Sequence, residues 1–473
     1  MLTYDRVREL VAEAASGLGR LGVRPGTRVA LALPNGPEAI VLFLAAAQGA
    51  TACPLNPAYK EEEFRFYLED TGAQMLVVPE AEGLAARRAL GAPGAVVEVK
   101  IDAQGRLQMN GGPPAATGAE PERARPDDVA LVLHTSGTTS RPKRVPIRHR
   151  NLGASIGNIT AHYRLGPEDV SLCLMPLFHV HGLLASALST LASGGTVVVP
   201  RAFSPMQFRR LVGEYRPTWF SASPTPHRLI LMRLGAEGVP GAERLRFVRS
   251  CSSALSQDQL LAMEAAYQAP VLEAYGMTEA SHQMASNPLP PEERQPGSVG
   301  RGTGVEIGTM DEVGELLPEG VAGEVVIRGP NVIDGYESNP EANSSSFSHG
   351  WFRTGDLGTL DASGRLTLAG RLKELINRGG EKIAPAEVDV ALESHPGVAE
   401  AVAFGLAHPV WGEEVAAAVV LRVPVPEREL IAHCRERLAD FKVPTRLYIL
   451  EAIPRTATGK VQRRLVAEAV APG

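Results

Sequence analysis

The 473-residue chain is too long for one ordinary compact domain, so a large unit with at least one smaller one is the minimum expectation. Apolar residues make up 44% of it and charged residues 21%, which supports a sizeable core and excludes a disordered chain. A formal net charge of -6 argues against a broad nucleic-acid surface and leaves room only for a local basic pocket.

Residues 1–22 read as a helix with acids and bases interspersed, without the basic start and apolar run of a signal peptide. Residues 29–33 and 38–48 follow as strand and helix, then a Pro/Asn turn at 54–57, which is the βαβ rhythm of a mostly parallel sheet. The longest apolar stretch, residues 39–47, is well short of the roughly 20 needed to span a bilayer. A Gly, Pro and Ala-rich stretch at 111–126 is expected to be a surface loop. Further short apolar runs at 129–133, 196–200, 218–221, 247–250 and 271–274 end in polar or Gly-rich turns, where ligands of such sheets gather.

From Gly314 the texture changes to short strands with Gly turns, at 323–328 and 365–369. A break at Gly370-Arg371 precedes a segment with its own strands (398–405, 416–421) and helix (427–439). The expected fold is α/β: a large N-terminal domain, residues 1–371, of mixed, mostly parallel sheets with helices plus a β-rich subdomain. A small mobile C-terminal α+β domain, residues 372–473, completes it.

Cys53, Cys173, Cys251 and Cys434 form no CxxC pair, which suggests neither a disulfide framework nor a zinc site and fits a reducing compartment. The C-terminal Ala471-Pro472-Gly473 is not a peroxisomal address of the Ser-Lys-Leu type. A cytoplasmic monomer or homodimer, engaging neither nucleic acid nor membrane, is expected.

After residues 129–133 comes His134-Thr135-Ser136-Gly137-Thr138-Thr139-Ser140-Arg141-Pro142-Lys143. Hydroxyls, backbone N–H groups beside small residues and one lysine are the donors a polyphosphate requires. The Gly-Lys-Ser/Thr ending of a Walker A loop is absent. In length and order the loop resembles the signature of the adenylate-forming superfamily: acyl-CoA synthetases, luciferases and peptide-synthetase adenylation domains.

Four later motifs resemble that superfamily in the same order. Glu273-Ala274-Tyr275-Gly276-Met277-Thr278-Glu279 is similar to its adenine and metal motif. The resemblance implies Tyr275 against adenine, Thr278 on the α-phosphate and Glu279 on Mg²⁺, with Ser252, Ser253, Glu273, Ala274 and Gly276 also in the nucleotide site. An aromatic face suits a base, and a carboxylate suits a hard cation that bridges phosphates. Trp351-Phe352-Arg353-Thr354-Gly355-Asp356 resembles the ribose motif, with Asp356 accepting from the ribose hydroxyls. Gly370-Arg371-Leu372-Lys373-Glu374 resembles the hinge, Arg371 near the nucleotide and Lys373 at the pivot, and Pro454-Arg455-Thr456-Ala457-Thr458-Gly459-Lys460 the catalytic-lysine motif.

The implied activity is a two-step ligation needing ATP, Mg²⁺ and coenzyme A. A carboxylate attacks the α-phosphorus of ATP and pyrophosphate departs, with Lys460, Thr278, Mg²⁺, Lys143 and the loop residues Thr135, Ser136, Gly137, Thr138 and Thr139 stabilising charge. The thiol of CoA then attacks the acyl-adenylate after the small domain rotates about the hinge, a conformation that Lys373, Gly379 and Gly380 would serve.

Polar groups stand where relatives acting on large acids need an apolar pocket. In Pro176-Leu177-Phe178-His179-Val180-His181-Gly182, His179 matches the family's gating position, and His181 stands where larger-substrate relatives often carry an aromatic residue. His282 follows the nucleotide motif. Two histidines suggest a second carboxylate on the substrate, met by donors from His181, His282, Ser252 or Ser223 with help from Arg249. The alternative is that both histidines satisfy buried backbone groups or line a solvent channel.

Residues 131–464 resemble the oxalate–CoA ligases almost continuously, through Ser140-Arg141-Pro142, Phe178-His179-Val180-His181-Gly182-Leu183-Leu184 and Asn377-Arg378-Gly379-Gly380-Glu381-Lys382. A two-carbon diacid fits a short, donor-lined pocket. Malonate, a short monoacid, transfer to a carrier protein, or adenylate binding without turnover are the competing expectations. Two departures stand out: Arg144 replaces the glycine that usually follows the loop lysine, and relatives usually have some tens of residues before the equivalent of Met1-Leu2-Thr3-Tyr4.

Overall fold

The computed structural model describes residues 1–90, 96–112, 124–135, 142–234, 238–455 and 461–470. Leu10, Val11, Ala14, Ala15 and Leu18 fall on one face of α1 (Tyr4–Arg20) and are buried; Thr3 caps the helix by accepting from the Arg6 N–H. The apolar stretch at 39–47 forms α2 (Pro37–Ala47), in which eight of eleven residues are buried. It is a core helix rather than a membrane segment, and among the described residues no helix is long and apolar enough to cross a bilayer. The acidic Glu61, Glu62 and Glu63 open α3 (Glu61–Thr71) at the positive end of its dipole, and Gly72, in the left-handed region, closes it.

Two sheets of βα units form the bulk of the chain. The first has order β5-β4-β3-β1-β2-β6-β7. Its strands are β1 (Arg28–Leu31), β2 (Thr51–Pro54), β3 (Met75–Pro79), β4 (Val96–Ile101), β5 (Leu107–Gly111), β6 (Val129–His134) and β7 (Arg144–Arg148). The interior pairs are parallel, whereas β4/β5 and β6/β7 are antiparallel. Gly111, expected to open the surface loop, instead ends β5; residues 113–123 of that loop lie outside the described residues.

The second sheet has order β14-β13-β12-β11-β10-β8-β9. It comprises β8 (Val170–Cys173), β9 (Thr196–Val198), β10 (Trp219–Ala222), β11 (Phe247–Ser250), β12 (Val271–Met277), β13 (His282–Ser286) and β14 (Arg301–Gly302). Strands β8 to β12 pair in parallel, so the loops leaving β8, β10, β11 and β12 share one edge.

A third, antiparallel sheet holds β15 (Glu306–Met310), β16 (Gly323–Arg328), β17 (Phe347–Ser348), β18 (Trp351–Leu360) and β19 (Leu366–Arg371), the expected β-rich part. Beyond Arg371 a short 3₁₀ turn, Leu372–Glu374, leads to β20 (Ile376–Arg378), β21 (Glu381–Ile383), β22 (Val398–His408), β23 (Gly412–Leu421) and β24 (Arg446–Ile449). This sheet buries its own cluster, including Ile376, Val388, Leu392, Val415, Val419 and Leu430, under the helices Pro385–Glu393 and Glu427–Arg435. The second helix stops four residues before the expected end at Ala439.

Arg228, on the helix Pro224–Leu234, joins this last unit to the second sheet. Its guanidinium donates to the Ala399 carbonyl at 3.0 Å and lies 3.3 Å from the Glu400 carboxylate, which also pairs with Arg455.

Candidate active site

Arg249 lies on β11, a central strand, with its whole side chain under the surface at 0% exposure. Register places Ser221 of β10 beside it. The guanidinium donates to Tyr163 Oη (2.9 Å), Ser221 Oγ (3.0 Å), His181 Nε2 (3.3 Å) and His282 Nδ1 (3.3 Å). Those four bonds use four of the five guanidinium N–H groups. Among the described residues no Asp or Glu pairs with it, although a buried cation without a counter-ion is costly.

The bonds from Arg249 fix both histidine tautomers. Nε2 of His181 accepts, so Nδ1–H donates to Ser252 Oγ at 3.1 Å and leaves the Ser252 hydroxyl proton to point elsewhere. Nδ1 of His282 accepts, so Nε2 carries its proton. Burial, reinforced by Arg249 and His181, holds the His282 imidazole well below the usual histidine range, so it is a neutral donor. The positive charge in this cluster therefore comes from Arg249. The competing expectation, histidines satisfying backbone groups, does not describe these side-chain bonds.

Local backbone shape delivers these groups. His181 opens a π-helical segment, His181–Leu188, and Gly182 in it is pressed so closely that an added Cβ would lie 2.2 Å from the Pro176 carbonyl oxygen. Gly276 is similarly required where β12 bulges against β13, since a Cβ would meet the His282 carbonyl oxygen at 2.1 Å. Ser252 (φ 78°) and His282 (φ 99°) hold the left-handed region that non-glycine residues rarely adopt. His179 lies in the loop before His181, its ring 4.7 Å from that of Phe178. Ser223 follows β10 half-buried without entering the Arg249 cluster, and Ser253 is exposed beside Ser252.

The nucleotide-motif residues gather across the neighbouring edge. Tyr275, on β12 with Glu273, Ala274 and Gly276, donates its hydroxyl to one Asp356 oxygen, and Arg371 Nε lies 3.0 Å from the other. Burial raises the Asp356 carboxyl, and the Arg371 charge works against that rise. Glu273 is buried, and burial lifts its carboxyl to about 7 against the Gly297 N–H and Arg294.

Thr278 begins the 3₁₀ turn Thr278–Ala280, which aims Glu279 inward at 6% exposure, where it accepts from Tyr336 Oη at 2.7 Å. The Lys143 ammonium sits 4.2 Å from the centre of the Tyr336 ring. Burial depresses this lysine, Glu279 raises it and Lys373 lowers it, so all three charges share one neighbourhood. Among the described residues no cluster of three or more metal-ligating side chains occurs. One buried carboxylate beside a phosphate loop fits Mg²⁺, which is held by one or two carboxylates plus phosphate oxygens.

Thr135 and Lys143 close the mouth of the phosphate loop, the Thr135 N–H donating to the Lys143 carbonyl at 3.0 Å. Ser136, Gly137, Thr138, Thr139 and the catalytic-lysine candidate Lys460 lie outside the described residues. Lys373, Gly379 and Gly380 are exposed, and the Gly379 N–H donates to the Trp411 carbonyl at 2.7 Å. Tyr163, Ser221 and Tyr336 escaped the sequence reading: each acts on a residue tens of positions away, and none sits in a recognisable motif.

A buried carboxylate beside a lysine, a buried acid paired with an arginine and a buried guanidinium are groups that a nucleotide-using enzyme with an anionic second substrate requires. The AMP-binding enzyme family model matches residues 1–337 and the AMP-binding enzyme C-terminal domain model residues 387–460, so the chain belongs to the AMP-binding enzyme family. It is 46% identical over 478 residues to an oxalate–CoA ligase of Arabidopsis thaliana, covering 99% of this chain and 93% of that one. ATP-bound MatB from Rhodopseudomonas palustris superposes with a TM-score of 0.88 at 31% identity, covering 99% and 93% of the two chains. The apo form of MatB gives 0.75 at 32% identity, covering 98% and 93%. This chain thus superposes more closely on the ATP-bound than on the apo form.

Proposed function

We propose that this protein ligates oxalate to coenzyme A, converting oxalate, ATP and CoA to oxalyl-CoA, AMP and pyrophosphate. It is an AMP-forming acid–CoA ligase. The observation that carries the choice of acid is the buried Arg249, which is ringed by neutral acceptors and by no acid among the described residues. One carboxylate of a diacid answers that charge while the other faces the α-phosphate.

In the first step a substrate carboxylate oxygen attacks the α-phosphorus and the bond to pyrophosphate breaks. Lys460 bridges carboxylate and phosphate, Thr278 steadies the α-phosphate, and Lys143 with residues 135–139 takes up charge on the leaving group. Glu279 would hold Mg²⁺, which would supply further charge neutralisation there. Asp356 orients the ribose with Arg371, and Tyr275 lies against the base. His179 guards the acid's entry, while Ser252 and His282 Nε2–H face the distal carboxylate beside the Arg249 charge.

In the second step the CoA sulfur bonds to the acyl carbon, AMP leaves and the thiol proton is lost. A boundary at residues 371/372 lets the small domain, 372–473, turn about Lys373 and present Gly379-Gly380. Support for two units comes from the separate core under β20 to β24. The cytoplasm is the proposed location, which the four buried, unpaired cysteines fit. The reading is tested by MgATP-dependent pyrophosphate release on oxalate, which must require CoA for turnover and collapse in Lys460→Ala.

A further inference from the structure

We propose that Arg144 is a positioning residue for the nucleotide phosphates: it pins the closing strand of the phosphate loop to Glu337 and Asp70, and thereby fixes Lys143 opposite Glu279. This rests on the nucleotide-activating reading above and concerns a residue where the superfamily pattern has glycine.

His134 and Arg144 are register partners on β6 and β7 and form the two posts from which the loop springs. The Arg144 side chain, 19% exposed, donates to the Asp70 carbonyl oxygen and lies 3.4 Å from the Asp70 carboxylate. It also makes an ion-pair contact of 2.9 Å with the Glu337 carboxylate, without hydrogen-bond alignment. Neither acid is left to Arg144 alone. Glu337 also pairs with Arg28 of β1, and Asp70 is met at 3.0 Å by Nε2 of His134, the other post.

The next residue along makes this more than a surface ion network. Tyr336 carries the Lys143 ammonium over its ring and donates to Glu279, while Glu337 takes Arg144 through its side chain and donates its N–H to the Arg144 carbonyl at 3.1 Å. Two adjacent residues thus grip two adjacent loop residues. A glycine at 144 would keep only the backbone bond and leave the Asp70 carboxylate, whose side chain is 6% exposed, with His134. Lys143 would then be held by its Thr135 bonds and its seat on Tyr336, without the clasp on the next residue.

The experiment is calorimetric MgATP binding to wild type, Arg144→Gly, Arg144→Lys, Glu337→Gln and the Arg144→Gly/Glu337→Gln double variant, with KM values for ATP, oxalate and CoA from pyrophosphate release. ATP affinity is expected to fall on the order of tenfold in Arg144→Gly and less in Arg144→Lys. KM for oxalate and CoA stays at the wild-type value, and the double variant is no weaker than the weaker single. A merely structural role would lower thermal stability without this selective change. The inference is overturned if folded Arg144→Gly binds ATP as wild type does, or if the two single losses multiply in the double variant. Should Arg144→Gly not fold, Arg144→Lys and Glu337→Gln carry the same test. Wild type that binds no ATP at all would instead remove the function reading itself.

Discussion

Arg249 and His282 meet 3.3 Å apart across the second sheet, the guanidinium donating to a ring nitrogen that burial keeps unprotonated. This puts the only formal charge of the cluster on the arginine. Arg249→Met should therefore raise KM for oxalate by about 100-fold, as loss of a charged partner in a buried site does, and improve the ratio of glyoxylate to oxalate turnover. The same change removes a buried charge but leaves Tyr163, Ser221, His181 and His282 without their donor, so unfolding free energy should fall by about 1–3 kcal/mol. Initial rates and urea unfolding check both halves.

Tyr163 holds the Arg249 Nε–H and is itself bonded to Gln283 and Ser286 beneath a stack of Phe247 and Trp219. Tyr163→Phe keeps the stack but leaves the guanidinium edge unmet, a cost of about 1–3 kcal/mol. KM for oxalate should rise about fivefold to tenfold with kcat little changed. A kcat loss with unchanged KM would place Tyr163 elsewhere in the mechanism.

His227 and Glu273 predict opposite pH responses. Burial lowers His227 to about 4, so between pH 6.5 and 4 the unfolded chain binds a proton that the native chain refuses, and stability from this group is lost as pH falls. Burial raises Glu273 to about 7, so here the native chain holds the extra proton and stability is lost as pH rises from 4.5 to 7. Relative to wild type, His227→Leu should gain stability as pH falls through its window and Glu273→Gln as pH rises through its own, each by about 1–3 kcal/mol. Urea midpoints from pH 4 to 8 measure both differences.

Glu400 sits between Arg228 of the large unit and Arg455, five residues before Lys460. Because the bridge ties the two parts together in the arrangement seen here, it should favour the step that this arrangement serves, taken as the first. Glu400→Gln should slow ATP–pyrophosphate exchange about threefold to tenfold, the effect of about 1 kcal/mol on the population of the competent arrangement. Thioester formation from supplied acyl-adenylate should keep its rate. Equal slowing of both steps would deny the bridge a step-specific role.

The parallel strands were legible because each is a short apolar run closed by a polar turn, and β11 runs over the residues expected, Phe247–Ser250. His181 and His282 were also visible as polar residues out of place beside apolar runs. What could not be read was which charge they serve. Arg249 looked like a helper because its partners Tyr163 and Ser221 are 86 and 28 residues away, and no periodicity links them. Arg144 was legible only as a missing glycine, since the acids that hold it, Asp70 and Glu337, come from α3 and from the segment before β17. The fold clasps its side chain between them.

The most direct measurement is pyrophosphate release with MgATP across oxalate, malonate, glyoxylate, acetate, octanoate and coumarate, each with and without CoA, in wild type and Arg249→Met. The account predicts CoA-dependent turnover strongest on oxalate, with that preference gone in the variant. Preference of the wild type for octanoate or coumarate, or an oxalate preference that survives Arg249→Met, would contradict it.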